Sequence, residues 1–227
     1  MVLRVTKRVA IFIPPMHYLV KTPWWLKKLF PSYEWSIPTK EKRIYLTFDD
    51  GPHPQATPFV LDELKKFGAQ ATFFCIGKNV VAYPEIYKRI LEDGHAIGNH
   101  TYNHLNGWKS KDETYTSDIA SAANYIDSNL FRPPYGRITS FQAQHIHRAM
   151  KTEKARIIMW SVLSGDFDTT VSAKRCIQNV ILNATKGSIV VFHDSEKAFP
   201  ILKEVLPAVL QFFYNEGYNC SKIKGEE

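Results

Sequence analysis

The sequence predicts an α/β protein in which helices cover a parallel sheet. Short apolar runs alternate with helical patterns about six times along the chain, which is typical of parallel strands joined by crossover helices. The composition agrees, because 44% apolar and 22% charged residues are ordinary for a globular domain with a sizeable core. A chain of 227 residues also suits one undivided domain of this class.

Seven strands and six main helices are predicted from these patterns. The strands are expected at 43–48, 71–76, 95–99, 129–132, 156–162, 188–193 and 218–223. The helices are expected near 55–67, 84–93, 111–128, 140–153, 171–185 and 198–216. The pattern leaves open whether the sheet is doubly wound or closed into a barrel. Both architectures place chemistry at the carboxyl ends of the strands.

Residues that commonly begin or end helices support these boundaries. Pro84 stands at a predicted first helical position. The segment 110–113, Ser-Lys-Asp-Glu, predicts a capping box that opens the third helix. Glycines follow four of the predicted helices, where a left-handed residue often ends a helix, and these are Gly68, Gly94, Gly187 and Gly217.

Residues 1–42 differ from the remainder in charge. They carry eight Lys or Arg against two Glu, a net +6, so the other 185 residues carry only +1 of the total +7. Aromatic residues, among them Trp24, Trp25 and Trp35, lie between these basic residues. We predict an N-terminal arm, 1–42, that packs its aromatics on a domain formed by 43–227. Contact with a membrane surface is the less favoured interpretation.

Several other kinds of protein are disfavoured. The short apolar stretch 9–15 contains two prolines and is not followed by a small-residue cleavage site, so no signal peptide is predicted, and no apolar run is long enough to span a bilayer. No nucleic-acid-binding signature is present. Three distant cysteines, Cys75, Cys176 and Cys220, form neither a disulfide framework nor a Cys-x-x-Cys metal site. The compartment and the oligomeric state stay open.

Polar residues suited to catalysis follow the predicted strands. Because the carboxyl ends of parallel strands meet at one edge of a sheet, we expect these residues to form a single active site there. They are Asp49 and Asp50, the segments 99–104 and 132–136, Asp166 and Asp168, and His193 and Asp194.

A carboxylate and two histidines predict a metal site. The i,i+4 spacing of His100 and His104 would bring two imidazoles to one side of a helical turn. Asp50 is the natural third ligand, and this set with one open position suits a catalytic divalent ion, most simply zinc, with cobalt, manganese or nickel as alternatives. The adjacent Asp49 is then free to act as a base on the water that the ion activates.

Five segments of the chain stand out in order, and they are Thr47–Pro52, His100–His104, Arg132–Gly136, the surroundings of Asp166, and Val190–His193. They resemble the motifs of polysaccharide deacetylases, which form carbohydrate esterase family 4, the NodB-homology domain. The resemblance covers residues 43 to about 215 and leaves out 1–42. It implies a distorted (β/α) barrel of about seven parallel strands. It also implies metal-dependent removal of N-acetyl groups from polymers that contain N-acetylglucosamine, such as peptidoglycan or chitin-like oligomers.

The resemblance implies a role for each matching residue. Asp49 matches the catalytic base, and Asp50, His100 and His104 match the metal ligands. Arg132 resembles the arginine that holds the base carboxylate.

The later motifs supply the other roles that the resemblance implies. Tyr135 occupies the place whose backbone N–H helps the metal to stabilise the oxyanion. Asp166 corresponds to the acid that tunes the last histidine, and His193 corresponds to the general acid.

The fourth and fifth motifs depart from the usual family pattern. Leu163 and Phe167 stand where the family often has aspartate and tryptophan, so Asp168 is a candidate for part of the work of the missing acid. Val190 replaces the usual leucine. These departures bear on substrate fit and on the tuning of the last histidine, not on the metal site.

Two alternative functions stay open at this point. The same mechanism could act on O-acetyl esters such as those of xylan. A glycan-binding module without turnover is disfavoured, because no metal ligand and no base is missing from the sequence. The family usually meets its substrates outside the cytoplasm, although no export signal is seen here.

Overall fold

Parallel strands form the centre of the structure, a computed structural model that describes residues 18–225. Within these residues the strands are β1 (Arg43–Asp49), β2 (Thr72–Cys75), β3 (Ala96–Asn99), β4 (Leu130–Phe131), β5 (Arg156–Ile157), β6 (Val162–Leu163), β7 (Ile189–His193) and β8 (Asn219–Cys220). Seven of them pair side by side in the order β5-β4-β3-β2-β1-β7-β6, and β8 pairs with the start of β1. All of these pairs are parallel.

The strand order shows that the sheet curls. β5 and β6 lie at opposite ends of the sheet, yet only residues 158–161 separate them along the chain. A link this short requires the two ends of the sheet to approach each other. The predicted distorted barrel of about seven parallel strands is therefore confirmed.

The prediction of one strand over 156–162 is wrong, because the segment is divided between β5 and β6. The carbonyl groups of Ile158 and Met159 accept hydrogen bonds from the side chain of Arg132. The Met159 N–H donates to the carbonyl of Glu34, which belongs to the N-terminal arm. These partners replace the neighbouring strand that a continuous ladder would need.

Helices cover the outside of the sheet. Among residues 18–225 they are α1 (Trp24–Leu29), α2 (Ala56–Lys66), α3 (Gly77–Ala82), α4 (Pro84–Glu92), α5 (Asp112–Ala123), α6 (Ser140–Ala149), α7 (Ala173–Ile181) and α8 (Phe199–Asn215). The six predicted helices correspond to α2 and α4–α8. Helices α1 and α3 have six residues each, too few to show a helical period in the sequence. No helix in the described part of the chain is long and apolar enough to cross a bilayer.

The helix ends confirm some of the boundary predictions. Pro84 is the first residue of α4, and Gly68, Gly94 and Gly217 lie with positive φ two residues past the ends of α2, α4 and α8. The prediction that Gly187 ends a helix is wrong, because α7 already ends at Ile181. The capping box predicted at 110–113 is wrong, because Lys111 is the N-cap of α5 and makes no side-chain hydrogen bond there. Asp112 instead accepts hydrogen bonds from the side chains of Thr139 and Gln142, which form the capping box of α6.

The core holds β1 rigidly. Six of its seven residues are buried, as expected for a strand with neighbours on both sides and helices outside. The ring of Phe48 stacks between Phe73 of β2 and Phe192 of β7, with centroid distances of 5.2 and 5.8 Å. The carboxyl end of this strand, which carries Asp49, is therefore fixed by packing from both sides.

Part of the N-terminal arm adds hydrogen bonds to the ends of the curled sheet. Leu163 N–H donates to the Val20 carbonyl at 2.8 Å, and Glu34 N–H donates to the Ile157 carbonyl at 2.9 Å. Trp35 is buried in a cluster of apolar side chains from α5, α6 and the neighbouring strands. Residues 20–35 therefore contact both β5 and β6, the strands that end the sheet.

The outer surface of the arm stays exposed. Trp24 and Trp25 of α1 are 69% and 52% exposed, and the helix also carries Lys27 and Lys28. Contact of this surface with a membrane stays a prediction. The basic residues near the start of the sequence and the apolar stretch 9–15 lie outside the described residues.

Candidate active site and metal centre

The predicted site residues meet at the carboxyl edge of the sheet. Asp49 ends β1 and His193 ends β7, and the two are paired in the strand register. His100 follows β3, and Arg132 follows β4, where its N–H donates to the carbonyl of Asn99. Residues at the carboxyl ends of four strands, β4, β3, β1 and β7, thus meet at one edge of the sheet.

Asp50, His100 and His104 form a candidate metal site. One ligand atom from each lies within 4.8 Å of the others. Asp50 Oδ1 is 3.1 Å from His104 Nε2 and 3.7 Å from His100 Nε2. The same oxygen is buried and has no well-directed hydrogen bond from residues 18–225. A buried carboxylate oxygen without a partner is costly, and a cation between the three side chains would remove that cost.

The charge state of Asp50 suits this role. Burial by itself would raise the pKa of the carboxyl, but His104, His193 and His100 outweigh it and hold the pKa below its usual range. The carboxyl group is therefore an anion at neutral pH.

His100 is oriented for binding through Nε2. Its Nδ1 lies 2.7 Å from the carbonyl oxygen of Arg132, so the Nδ1–H donates and the Nε2 lone pair faces Asp50. Burial lowers the pKa of His100 to about 4. The imidazole is therefore neutral at physiological pH, as a metal ligand must be.

The prediction that a helical turn brings the two histidines together is wrong. Residues 100–104 form an irregular loop in which Thr101 and His104 have φ of 63° and 59°. The Asp118 carboxylate of α5 accepts two consecutive backbone N–H groups inside this loop. The imidazole rings nevertheless lie 5.1 Å apart, because left-handed residues fold the loop back on itself. The i,i+4 spacing thus singled out two histidines that do lie together, but the structural reason given for it was wrong.

A buried arginine holds the candidate base. Arg132 Nη1 donates to Asp49 Oδ1 at 2.7 Å, and both side chains are almost fully buried. The other guanidinium N–H groups donate to Thr47 Oγ1 and to the carbonyl groups of Ile158 and Met159. Four hydrogen bonds thereby fix this cation, and the Asp49 carboxylate has one preferred orientation beside the candidate metal site.

His193 and Asp166 form a second charged pair. Asp166 Oδ1 accepts from His193 Nδ1 at 2.9 Å, while Oδ2 accepts the His193 backbone N–H at 2.7 Å. Burial by itself would lower the pKa of His193, but Asp166, with smaller contributions from Asp50 and Asp49, raises it to about 9. The imidazole is therefore protonated at neutral pH and can donate a proton from Nε2.

The unusual fourth motif supports His193 with a different aromatic side chain. Phe167 packs edge-on against the His193 ring at 5.0 Å, and Tyr18 of the arm lies 5.0 Å from Phe167. Asp168 accepts hydrogen bonds from Thr170. Among the described residues no hydrogen bond or ion pair joins Asp168 to His193, whereas Asp166 bonds to this imidazole directly.

Tyr135 lies at the mouth of the site. It has a left-handed backbone, with φ of 60°, and its side chain is 61% exposed. Its ring centroid is 4.7 Å from that of His104. The short turn Pro134–Gly136 therefore lies alongside His104, one of the candidate metal ligands.

Two supporting residues have roles that the sequence did not indicate. Asp194 follows His193, and its carboxylate accepts from the Gly51 N–H at 3.1 Å and from Thr57 Oγ1 at 2.5 Å. A Cβ on Gly51 would lie 2.1 Å from Asp194 Oδ2, so a glycine is required there.

Asn79 donates to the Asp50 carbonyl at 2.8 Å. Its distance from Asp50 in sequence gives no signal of this contact.

Comparisons with known proteins show which family this chain belongs to. A family model described as polysaccharide deacetylase matches residues 36–152. A peptidoglycan-N-acetylglucosamine deacetylase of Bacillus cereus is 35% identical over 200 residues, which are 85% of this chain and 92% of the relative. A chitooligosaccharide deacetylase of Azorhizobium caulinodans is 36% identical over 165 residues, 70% of this chain and 76% of the relative.

A solved structure gives the same result. The crystal structure of a peptidoglycan N-acetylglucosamine deacetylase, in complex with a substituted N-hydroxybenzamide, matches with a TM-score of 0.77 and 32% identity. The match covers 87% of this chain and 93% of that one. The chain therefore belongs to the polysaccharide deacetylase family and is an N-deacetylase.

Proposed function

We propose that this enzyme removes N-acetyl groups from polysaccharides that contain N-acetylglucosamine, with peptidoglycan or chitin-like oligomers as the substrate class. The relatives named above act on such glycans, which supports the assignment. The observation that carries the proposal is the grouping of Asp50, His100 and His104 around one point, with Asp49 adjacent.

We further propose that the three grouped side chains bind one divalent cation. One carboxylate and two imidazoles suit zinc, and cobalt, manganese and nickel are alternatives. When bound, the cation would supply Lewis acidity, which polarises an acetyl carbonyl and makes a water molecule more acidic. The unpartnered Asp50 oxygen and the oriented His100 imidazole support this assignment.

The other residues are proposed to move and stabilise charge. Asp49, held by Arg132, takes a proton from the attacking water. The backbone N–H of Tyr135 donates to the oxygen that becomes negative, an interaction worth roughly 3–4 kcal/mol for a well-placed donor. His193, kept protonated by Asp166, gives a proton to the departing amine, which is otherwise a poor leaving group.

The pH dependence of an Asp166→Asn variant tests the role of this pair. An acid catalyst works while protonated, so activity falls as the pH rises through its pKa. Removing the adjacent negative charge lowers the pKa of His193, so the alkaline limb of the kcat/KM profile should move down by about 1–3 pH units. Asp168→Asn is the matched control, because that carboxylate contacts Thr170. An alkaline limb that does not move in Asp166→Asn would contradict the assignment.

We also propose that residues 1–42 are an arm of the catalytic domain rather than a separate module. The hydrogen bonds of Val20 and Glu34 to the ends of the sheet and the burial of Trp35 support this division. Removing the arm should accordingly destabilise the whole domain. Urea unfolding of a chain that begins at residue 43 would measure the loss.

Acetate release from defined substrates tests the proposed reaction. We expect the zinc-loaded enzyme to release acetate from N-acetylglucosamine oligomers or from peptidoglycan, and much more slowly from acetylated xylan. Preference for the xylan would favour the O-acetyl esterase alternative. Binding of the oligomers without acetate release, with each of the four metals, would favour the glycan-binding module.

A further inference from the structure

Trp108 is an aromatic residue whose side chain lies on the surface and not in the core. It lies in the short turn Gly107–Lys109, just after the loop that carries His104, and its side chain is 64% exposed. A single exposed aromatic residue is common on protein surfaces and needs no explanation by itself. The informative feature here is that the exposed ring is fixed in orientation.

Contacts at both ends of the residue hold the indole. Its Nε1–H donates to the Ile138 carbonyl at 3.1 Å, and its backbone N–H donates to Asn106 Oδ1 at 3.1 Å. The guanidinium of Arg137 lies over the ring, 5.0 Å from its centroid. The rotational freedom that an exposed side chain usually keeps is therefore already restricted before any ligand binds.

The turn itself is packed directly on the segment that follows Tyr135. The Gly107 carbonyl accepts from Gln142 Nε2 at 2.9 Å. A Cβ on Gly107 would lie only 2.4 Å from the Arg137 carbonyl oxygen, so a larger residue would separate the two segments. We call Trp108, Arg137 and Ile138 the Trp108 ledge.

The Trp108 ledge is connected to the candidate active site by two short chain segments. Arg137 follows Tyr135 by two residues, and the exposed Tyr135 ring contacts the ring of His104. Trp108 follows His104 by four residues. Both segments that form the ledge therefore lie within a few residues of the candidate active site along the chain.

We propose that the Trp108 ledge is a subsite for a sugar of the substrate polymer next to the one that loses its acetyl group. The identity of the ligand in this inference rests on the proposed function. A pyranose ring with equatorial substituents has an apolar C–H face that packs on an indole, and a fixed aromatic ring offers such area at low entropic cost. The guanidinium of Arg137 supplies donors for hydroxyl or carbonyl oxygens of the same sugar.

Binding measurements with oligomers of two lengths test the subsite. The parent protein is the zinc-loaded Asp49→Asn variant, chosen so that the glycan is not consumed. Calorimetry gives the Kd of this protein for the pentamer and for the dimer of N-acetylglucosamine. We expect Trp108→Ala to weaken pentamer binding about tenfold, and to reduce the ratio of pentamer affinity to dimer affinity. Trp108→Phe should recover much of the loss. Trp25→Ala is the control, because Trp25 is also exposed but lies on α1.

Several results would overturn the subsite. One is that Trp108→Ala leaves the pentamer affinity unchanged, or reduces the affinities for the dimer and the pentamer equally. Another is that the control Trp25→Ala loses as much pentamer affinity as Trp108→Ala does. The last is that the parent protein does not bind the pentamer at all. The proposed function is judged separately, by acetate release from the unmodified enzyme. If the unmodified enzyme releases no acetate but still binds the pentamer more tightly than the dimer, the subsite stands and the protein catalyses a different reaction.

Discussion

Asp49→Asn is expected to lower turnover by a factor of roughly 10²–10⁴ while the bound metal stays at the level of the unmodified enzyme. The substitution keeps the size of the side chain but removes its ability to accept a proton from water. Asp49 is separate from the three grouped ligand side chains, and its Oδ1 is engaged by Arg132. Steady-state acetate release and elemental analysis of the same preparation measure the two quantities.

Stability has to be followed in the same variant. Arg132 is wholly buried, and loss of its charged partner leaves a buried cation without compensation, which typically costs about 3–5 kcal/mol. Urea unfolding therefore accompanies the assay, so that turnover is compared between folded proteins. Asp62→Asn is the matched control, because Asp62 pairs with Arg89 on the surface. Turnover at the unmodified rate in a folded Asp49→Asn enzyme would remove Asp49 from the reaction.

His104→Ala is expected to lose metal affinity and activity together. Substitution of a residue that only orients a ligand typically costs 10–100-fold in metal affinity, and removal of one of three ligands should cost at least about 100-fold. The geometry supports a direct role, since His104 Nε2 is the nearer of the two imidazole nitrogens to Asp50 Oδ1. Competition with a zinc chelator of known affinity measures the change.

A matched histidine provides the control for this experiment. His145 lies on α6, where its Nδ1 bonds to the Phe141 carbonyl, and it is remote in sequence from the metal motif. His145→Ala should retain metal and activity. If His104→Ala binds zinc as tightly as the unmodified enzyme, His104 is not a ligand.

The sequence was sufficient to locate the sheet and most of the site, for physical reasons. Apolar runs of strand length are visible when both faces of a strand are buried, as in β1, and glycines mark helix ends where φ is positive. Parallel strands also gather the residues after their carboxyl ends, which is why Asp49, Arg132 and His193 could be expected to meet.

The features that sequence reasoning missed depend on contacts between distant residues. The break within 156–162 follows from backbone groups that bind Arg132 and the arm, not from a local breaker. The loop of the two histidines depends on Asp118, which lies on the next helix. Asp194 acts on Gly51 across neighbouring strands. No periodicity within a single segment carries information about such partners.

Anomalous diffraction from a crystal grown with zinc tests the central claim most directly. The account predicts one strong zinc peak about 2.0–2.2 Å from an Asp50 oxygen and from Nε2 of both His100 and His104, with Asp49 close by but held by Arg132. A zinc ion bound elsewhere, or an ion held by Asp49 in place of Asp50, would contradict it.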